Sequence, residues 1–211
     1  VQGKEGEHSM DPKATITVEM IEKATDFSAA SVDTSTDKYA SRNQFNRTKI
    51  VSDILTGKLA EELVYQKLKD YYLDLTEPDY AIYDKKNKSW EADLRVPSEN
   101  LRIAVKSQTE DAARRWGRSW VFQLGNARDY DKEVVLKKNN HYVALVSLDL
   151  PNMCGEIKSI VSIQWLHDND MFKEMKLKYL QNNKKAVYYD DLISLEEELF
   201  QLEKVKSITT A

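Results

Sequence analysis

Leu101-Arg102-Ile103-Ala104-Val105-Lys106-Ser107-Gln108 follows Ala92-Asp93-Leu94 across a short turn at 97–100, and this pair of segments decides how the chain is read. Residues 90–96 and 101–106 read as two strands of a hairpin, with Pro97 and Asn100 in the turn. Side chains two apart on a strand share a face. Residues 104 and 106 therefore point the same way, and the side chain of 105 turns into the core. Asp93, on the neighbouring strand, is set to meet them at the end of the sheet.

Upstream, residues 17–24 predict a short helix. Residues 27–38, rich in Ser, Thr, Ala and Asp without an apolar period, predict a loop or mobile arm. Over 43–72, Ile50, Ile54, Leu59, Leu63, Val64 and Leu68 recur at helical steps, with Gly57 expected to bend or divide the run. After Pro78, residues 80–83 predict a strand and 84–88 a polar turn. Downstream, 112–116 predicts a helix, 120–124, 142–148 and 160–165 predict strands, and 169–182 and 192–205 predict helices. Helices, then a meander, then strands mixed with helices indicate an α/β fold with a mixed central β-sheet flanked by helices. The expected organisation is a single domain over 10–211 with an N-terminal helical segment at 10–56, and no repeat divides it. Residues 1–9 are polar and mixed in charge. They read as a cloning remnant ahead of Met10 rather than a secretory signal.

The 211 residues, 41% hydrophobic, suffice for a sizeable core. No run approaches the roughly 20 apolar residues of a membrane span, so no membrane partner is expected. Cys154 is the single cysteine, which suits a reducing cytoplasm, bacterial or that of a phage-infected cell. The net charge of −4 excludes a globally basic, histone-like binder but not a local nucleic-acid surface. Residues 101–140 carry nine Lys/Arg against five Asp/Glu, whereas 190–203 carry six acids and no base. The basic excess lies beside the Asp93–Lys106 segment.

Phosphodiester hydrolysis needs an activated water, charge stabilisation at phosphorus and neutralisation of the leaving oxygen. Carboxylate-held Mg²⁺ and a nearby lysine supply these. An acid at 104 with Lys106 would face one phosphate. Together with Asp93 and the upstream Gly57-Lys58-Leu59-Ala60-Glu61, the segment resembles the PD-(D/E)xK nuclease superfamily, which includes restriction endonucleases and Holliday junction resolvases. The likeness covers roughly residues 55–148. Gly57-x3-Glu61 matches the helix motif, Asp93 the first acid, Val105-Lys106-Ser107-Gln108 the second half of the core motif, and 142–148 a later core strand.

The resemblance implies a restriction-endonuclease-like core with Mg²⁺, or Mn²⁺, held by Asp93, Glu61 and the Val105 carbonyl. Lys106 would stabilise charge or orient water, and Gln108 would support the site or contact DNA. It further implies double-stranded DNA as substrate, a homodimer cutting both strands and no nucleotide cofactor. Ala104 departs from the family, which places an acid or Gln there. A methyl cannot bind Mg²⁺, so this chain is expected to bind nucleic acid better than it cuts it. A substitution introduced at 104 is favoured over natural loss or migration of the site, because the other motif residues are in place. Asp79 is an alternative first acid, and Asp93 is preferred for its spacing. The rival functions are a junction-specific nuclease, a catalytically inactive DNA-binding module on the same scaffold, and a protein-interaction factor.

Arg114, Arg115 and Arg118, interleaved with Trp116 and Trp120, are candidate phosphate contacts. Lys58, with Arg42, Arg47 and Lys49, forms a second basic edge. The plainer alternative is an amphipathic helix with tryptophans inward and arginines solvated. His8, His141 and His167 are scattered and pair with no nucleophile or metal-ligand pattern. The absence of a phosphate-cradling Gly-rich loop argues against a P-loop NTPase. The Tyr71-Tyr72 and Tyr188-Tyr189 pairs suit core and rim packing.

Overall fold

The computed structural model describes residues 11–40, 44–83, 92–123, 140–181 and 184–193. Among them, a five-stranded mixed sheet runs in the order β1 (Lys13–Thr15), β6 (Cys154–Ser162), β5 (His141–Asp149), β3 (Leu101–Thr109), β2 (Leu94–Val96). Only β3 and β5 pair in parallel; the other neighbours are antiparallel. A smaller antiparallel sheet has the order β4 (Ser119–Gln123), β8 (Lys184–Tyr188), β7 (Lys173–Glu174). The fold is α/β, a mixed sheet with helices packed against it plus the small second sheet. No described helix is long and apolar enough to cross a membrane.

Strand alternation sorts β3 and β5 between two cores. Ile103, Val105, Ala144 and Val146 face one core, shared with Leu59, Leu63 and Val64 of α2 (Arg47–Leu68) and Met20 and Ala24 of α1 (Val18–Ala40). Ala104, Val143 and Leu145 face the other, filled by Trp120, Phe122 and Val187 of the small sheet. Leu166 of α4 (Ile163–Asp168) and Leu192 of α5 (Tyr189–Ile193) complete it. Both faces of the central strands are covered, and every residue from His141 to Leu148 is buried. The side chain at 105 turns toward α2, away from 104, as alternation requires.

Local sequence departs from the expected elements in four places. Residues 27–38, expected to be a loop, continue α1. Ala24, Ser28, Ser31 and Val32 form a buried stripe of small side chains. The Ser28 and Thr34 hydroxyls donate to the Thr25 and Ser31 carbonyls, so these polar residues are accommodated within the helix. Residues 80–83 are not a strand: the Asp79 carboxylate accepts from the Ala81 amide (2.8 Å) and the Tyr83 hydroxyl (2.7 Å), closing a local turn. The strand expected at 160–165 stops at Ser162, whose hydroxyl caps α4 by accepting from the Trp165 amide at 3.0 Å. Residues 169–182 form no α-helix among those described, but β7 and a 3₁₀ turn at Lys178–Leu180. The four-residue spacing of buried Met171 and Met175 imitates a helix there, while β7 pairs with β8.

Asn46 caps α2 by accepting from the Lys49 amide at 3.0 Å, and the helix continues through Gly57 without division. The turn expected at 84–88, the end of the strand expected at 120–124 and most of the helix expected at 192–205 lie outside the described residues.

Gly155 on β6 lets α2 approach the sheet. A Cβ there would lie 2.4 Å from Leu63 Cδ1 and 2.8 Å from Leu148 Cδ2, both fully buried side chains. Gly155→Ala is therefore expected to cost about 1–3 kcal/mol of stability through overpacking, measured as a lower urea midpoint with an unchanged slope.

Candidate functional site

The site forms where β2 stops and β3 continues. Their register runs Leu94↔Ile103, Arg95↔Arg102, Val96↔Leu101. Asp93 immediately precedes β2, just outside this ladder and next to the Leu94↔Ile103 pair. β3 continues to Thr109 paired with β5 alone. The Val105 amide has thus lost its ladder partner, and Asp93 Oδ2 replaces it, accepting that N–H at 2.7 Å. Within a strand the N–H and C=O of one residue face the same neighbour. The Val105 carbonyl therefore also faces the edge that β2 has vacated.

Glu61 and Glu62 are both buried on α2. Lys58 Nζ donates to Glu61 Oε2 at 2.6 Å, and Lys23 Nζ to Glu62 Oε1 at 2.9 Å. Burial first, then the charge of Asp93, pushes the Glu61 carboxyl above its ordinary value, while Lys58 pulls it back down. Two of the expected acids therefore feel each other directly. The Tyr80 hydroxyl is buried nearby, close to Glu62. Burial first, then the charge of Glu62, holds its pKa above the ordinary tyrosine value.

Lys106 shares the face of Ala104, its ammonium 5.4 Å from the Phe122 ring. Ala104 itself is 7% exposed and packs into the second core. Among the described residues, no three His, Cys, Asp or Glu side chains group as a metal-holding set. Asp93, Glu61 and the Val105 carbonyl offer only oxygen donors, the class that Mg²⁺ takes. The donor set suits the ion in kind, while the Ala104 methyl faces the second core.

Other expected site residues have different duties. Gln108 brackets the turn after α3 (Glu110–Trp116): its Nε2 donates to the Gly117 carbonyl (3.0 Å) and its Oε1 accepts from the Ser119 amide (2.9 Å). Arg118 makes a two-pronged pair with Glu110 at 2.8 and 2.9 Å and also bonds the Ser147 hydroxyl, which donates to Glu110 at 2.7 Å. Arg118 thus ties α3 to β5. Lys58 is enclosed rather than presented on an open edge, its side chain 12% exposed. Arg114 and Arg115 lie on the exposed side of α3 beside Trp116, which is 59% exposed, whereas Trp120 is buried with its Nε1 donating to the Val146 carbonyl at 2.9 Å. Only one of the two tryptophans packs inward. Arg114 pairs with Asp111 on the same helix. Asp79 directs its carboxylate to its own turn, but its carbonyl accepts from Lys58 at 2.7 Å.

Sequence reasoning missed Lys23, Glu62 and Tyr80, and the Glu110–Arg118–Ser147 bracket. The three-residue spacing of Lys58 and Glu61 was a signal for a helix ion pair. The rest depends on residues far apart in the chain.

Comparison with protein-family models, with curated proteins and with solved structures finds no match to this chain.

The bracket gives two expectations. Arg118→Ala is expected to cost about 1–3 kcal/mol, because it strips charge-assisted hydrogen bonds from half-buried partners; Arg114→Ala, at an exposed pair on the helix surface, should leave stability nearly unchanged. Chemical denaturation of the two variants checks the contrast. Hydrogen bonding to Arg118 also holds the Glu110 carboxyl below its ordinary value of 4.5. Its folded pKa is depressed, so its contribution is present above 4.5 and is lost as pH falls through the lower folded value. Glu110→Gln should flatten the fall in stability below pH 4.5, read from denaturation midpoints across an acid series.

Proposed function

We propose that this chain is a Mg²⁺-dependent DNA endonuclease of the PD-(D/E)xK type, with a restriction-endonuclease-like core, and that Ala104 leaves its metal site one acid short. The observation that carries this reading is the β2–β3 fork. There Asp93, just ahead of β2, bonds the Val105 amide of β3 and lies near enough to buried Glu61 to raise its pKa. Support comes from the motif residues and their geometry alone.

Asp93, Glu61 and the Val105 carbonyl would hold the ion, with an acid at 104 completing the set. Bound there, Mg²⁺ would supply charge neutralisation at the phosphate and a more acidic water. Lys106, on the same face as position 104, stabilises the charge that develops as a water oxygen bonds to phosphorus and the ester P–O bond breaks; the departing oxygen takes up a proton. Arg114 and Arg115 face solvent on α3 and attract the DNA backbone. Gln108 and Arg118 hold α3 in a fixed relation to the strand that carries Lys106. One such centre cuts one strand, so a homodimer serves a duplex.

A second reading, a DNA-binding module without catalysis, is favoured by the place of the Ala104 methyl in the second core. Ala104→Glu separates the two. The nuclease reading expects nicking or linearisation of plasmid DNA by the variant with Mg²⁺, and its loss on adding Lys106→Met. A folded, DNA-binding Ala104→Glu protein that leaves plasmid, linear duplex and four-way junctions intact would overturn the nuclease reading.

The unsubstituted chain should bind duplex DNA, and Arg114→Ala/Arg115→Ala should weaken binding uniformly across sequences. Each lost phosphate contact lowers the slope of log K against log salt by about 1. Fluorescence anisotropy over a salt series measures both effects.

A further inference from the structure

Glu61 and Glu62 are neighbours on one helix, yet their lysines are held differently. Lys23 reaches Glu62 from α1 with a side chain 46% exposed, its ammonium 4.1 Å from the Tyr80 ring centroid. Lys58 is seated. Its ammonium donates to Glu61 Oε2 at 2.6 Å and to the Asp79 carbonyl at 2.7 Å. It also lies 5.0 Å from the Phe27 ring and 5.3 Å from the Tyr80 ring, which meet edge to face at 5.3 Å. Two separate parts of the chain, Phe27 of α1 and the Asp79-Tyr80 pair, thus hold one ammonium against one buried carboxylate. Among the described residues, the hydrogen bond from Lys58 is the one the Glu61 carboxylate accepts.

Desolvation makes a buried carboxylate beside a second acid costly unless a cation faces it. Lys58 fills that role, supported by ring faces that attract cations and by a carbonyl oxygen. A divalent cation drawn to Glu61 and Asp93 meets the positive charge of Lys58 on the same carboxylate. On the metal-site reading above, we propose that Lys58 is the internal counter-cation of Glu61. It is a positioning residue, holding the carboxylate while no divalent cation is bound and competing with that cation for it. The Phe27–Tyr80–Asp79 seat makes this competition specific to Lys58.

The experiment uses Ala104→Glu as the background and Mg²⁺ and Mn²⁺ as probes, with binding measured by calorimetry. Adding Lys58→Met should tighten cation binding on the order of tenfold, adding Lys58→Arg should leave it near the background value, and adding Lys23→Met, which removes equal charge beside Glu62, should leave it unchanged. Circular dichroism confirms the fold. A second measurement needs no change at Lys58: amine acetylation followed by mass spectrometry. Lys58 should label slowly in the protein without added metal and faster when Mg²⁺ is added to Ala104→Glu. Cation binding that is unchanged or weaker in folded Lys58→Met overturns the inference while leaving the metal site standing, as does Lys58 labelling indifferent to bound Mg²⁺. Equal tightening by Lys23→Met reduces the effect to net charge and overturns it too. Failure of Ala104→Glu to bind either cation defeats the metal-site reading, and this inference with it.

Discussion

A strand that outruns its neighbour leaves backbone groups without partners, and the centre of this protein is organised around one such place. β2 pairs with β3 over three residues, while β3 continues beside β5 to Thr109. The Val105 amide would be orphaned, and an unpaired buried N–H is costly. Asp93 accepts it. That hydrogen bond holds the Asp93 carboxylate at the fork, against the backbone of Val105. It also keeps the charge close enough to Glu61 to raise its pKa.

At the fork β3 and β5 are packed on both sides. One face is closed by α1 and α2, the other by the small sheet with α4 and α5. Polar groups near the fork therefore cannot take up water freely and are matched from within the fold. Lys58 matches Glu61, Lys23 matches Glu62, and Arg118 matches Glu110 and Ser147. The arrangement separates two kinds of basic residue that composition alone cannot distinguish. Arg114 and Arg115 stay in solvent, whereas Lys58 and Arg118 are internal connectors.

Parts of the fold were legible because their signals are local. The apolar run of β5, the two-residue alternation of β3, and the periodic apolar residues of α2 each declare an element within a short window. The nearness of Asp93 to the β3 edge was legible, since its spacing to residue 104 suits a hairpin. α1 was not, because its buried stripe of Ala24, Ser28, Ser31 and Val32 has little of the hydrophobicity that marks a helix face. β7 and β8 were hidden for another reason. The pairing of β8 with β4 joins segments as far apart as Ser119 and Tyr188, beyond any local pattern.

By itself the sequence determined the α/β character, the shared face of positions 104 and 106, and the absence of a carboxylate at 104. These follow from alternation, periodicity and side-chain chemistry, which are properties of neighbours in the chain. Tertiary structure decided which charges are spent inside the protein. It gave Gln108 to the α3 turn, Arg118 to Glu110 and Lys58 to Glu61. Burial sets the cost of an unmatched charge, and burial exists only once distant segments have packed.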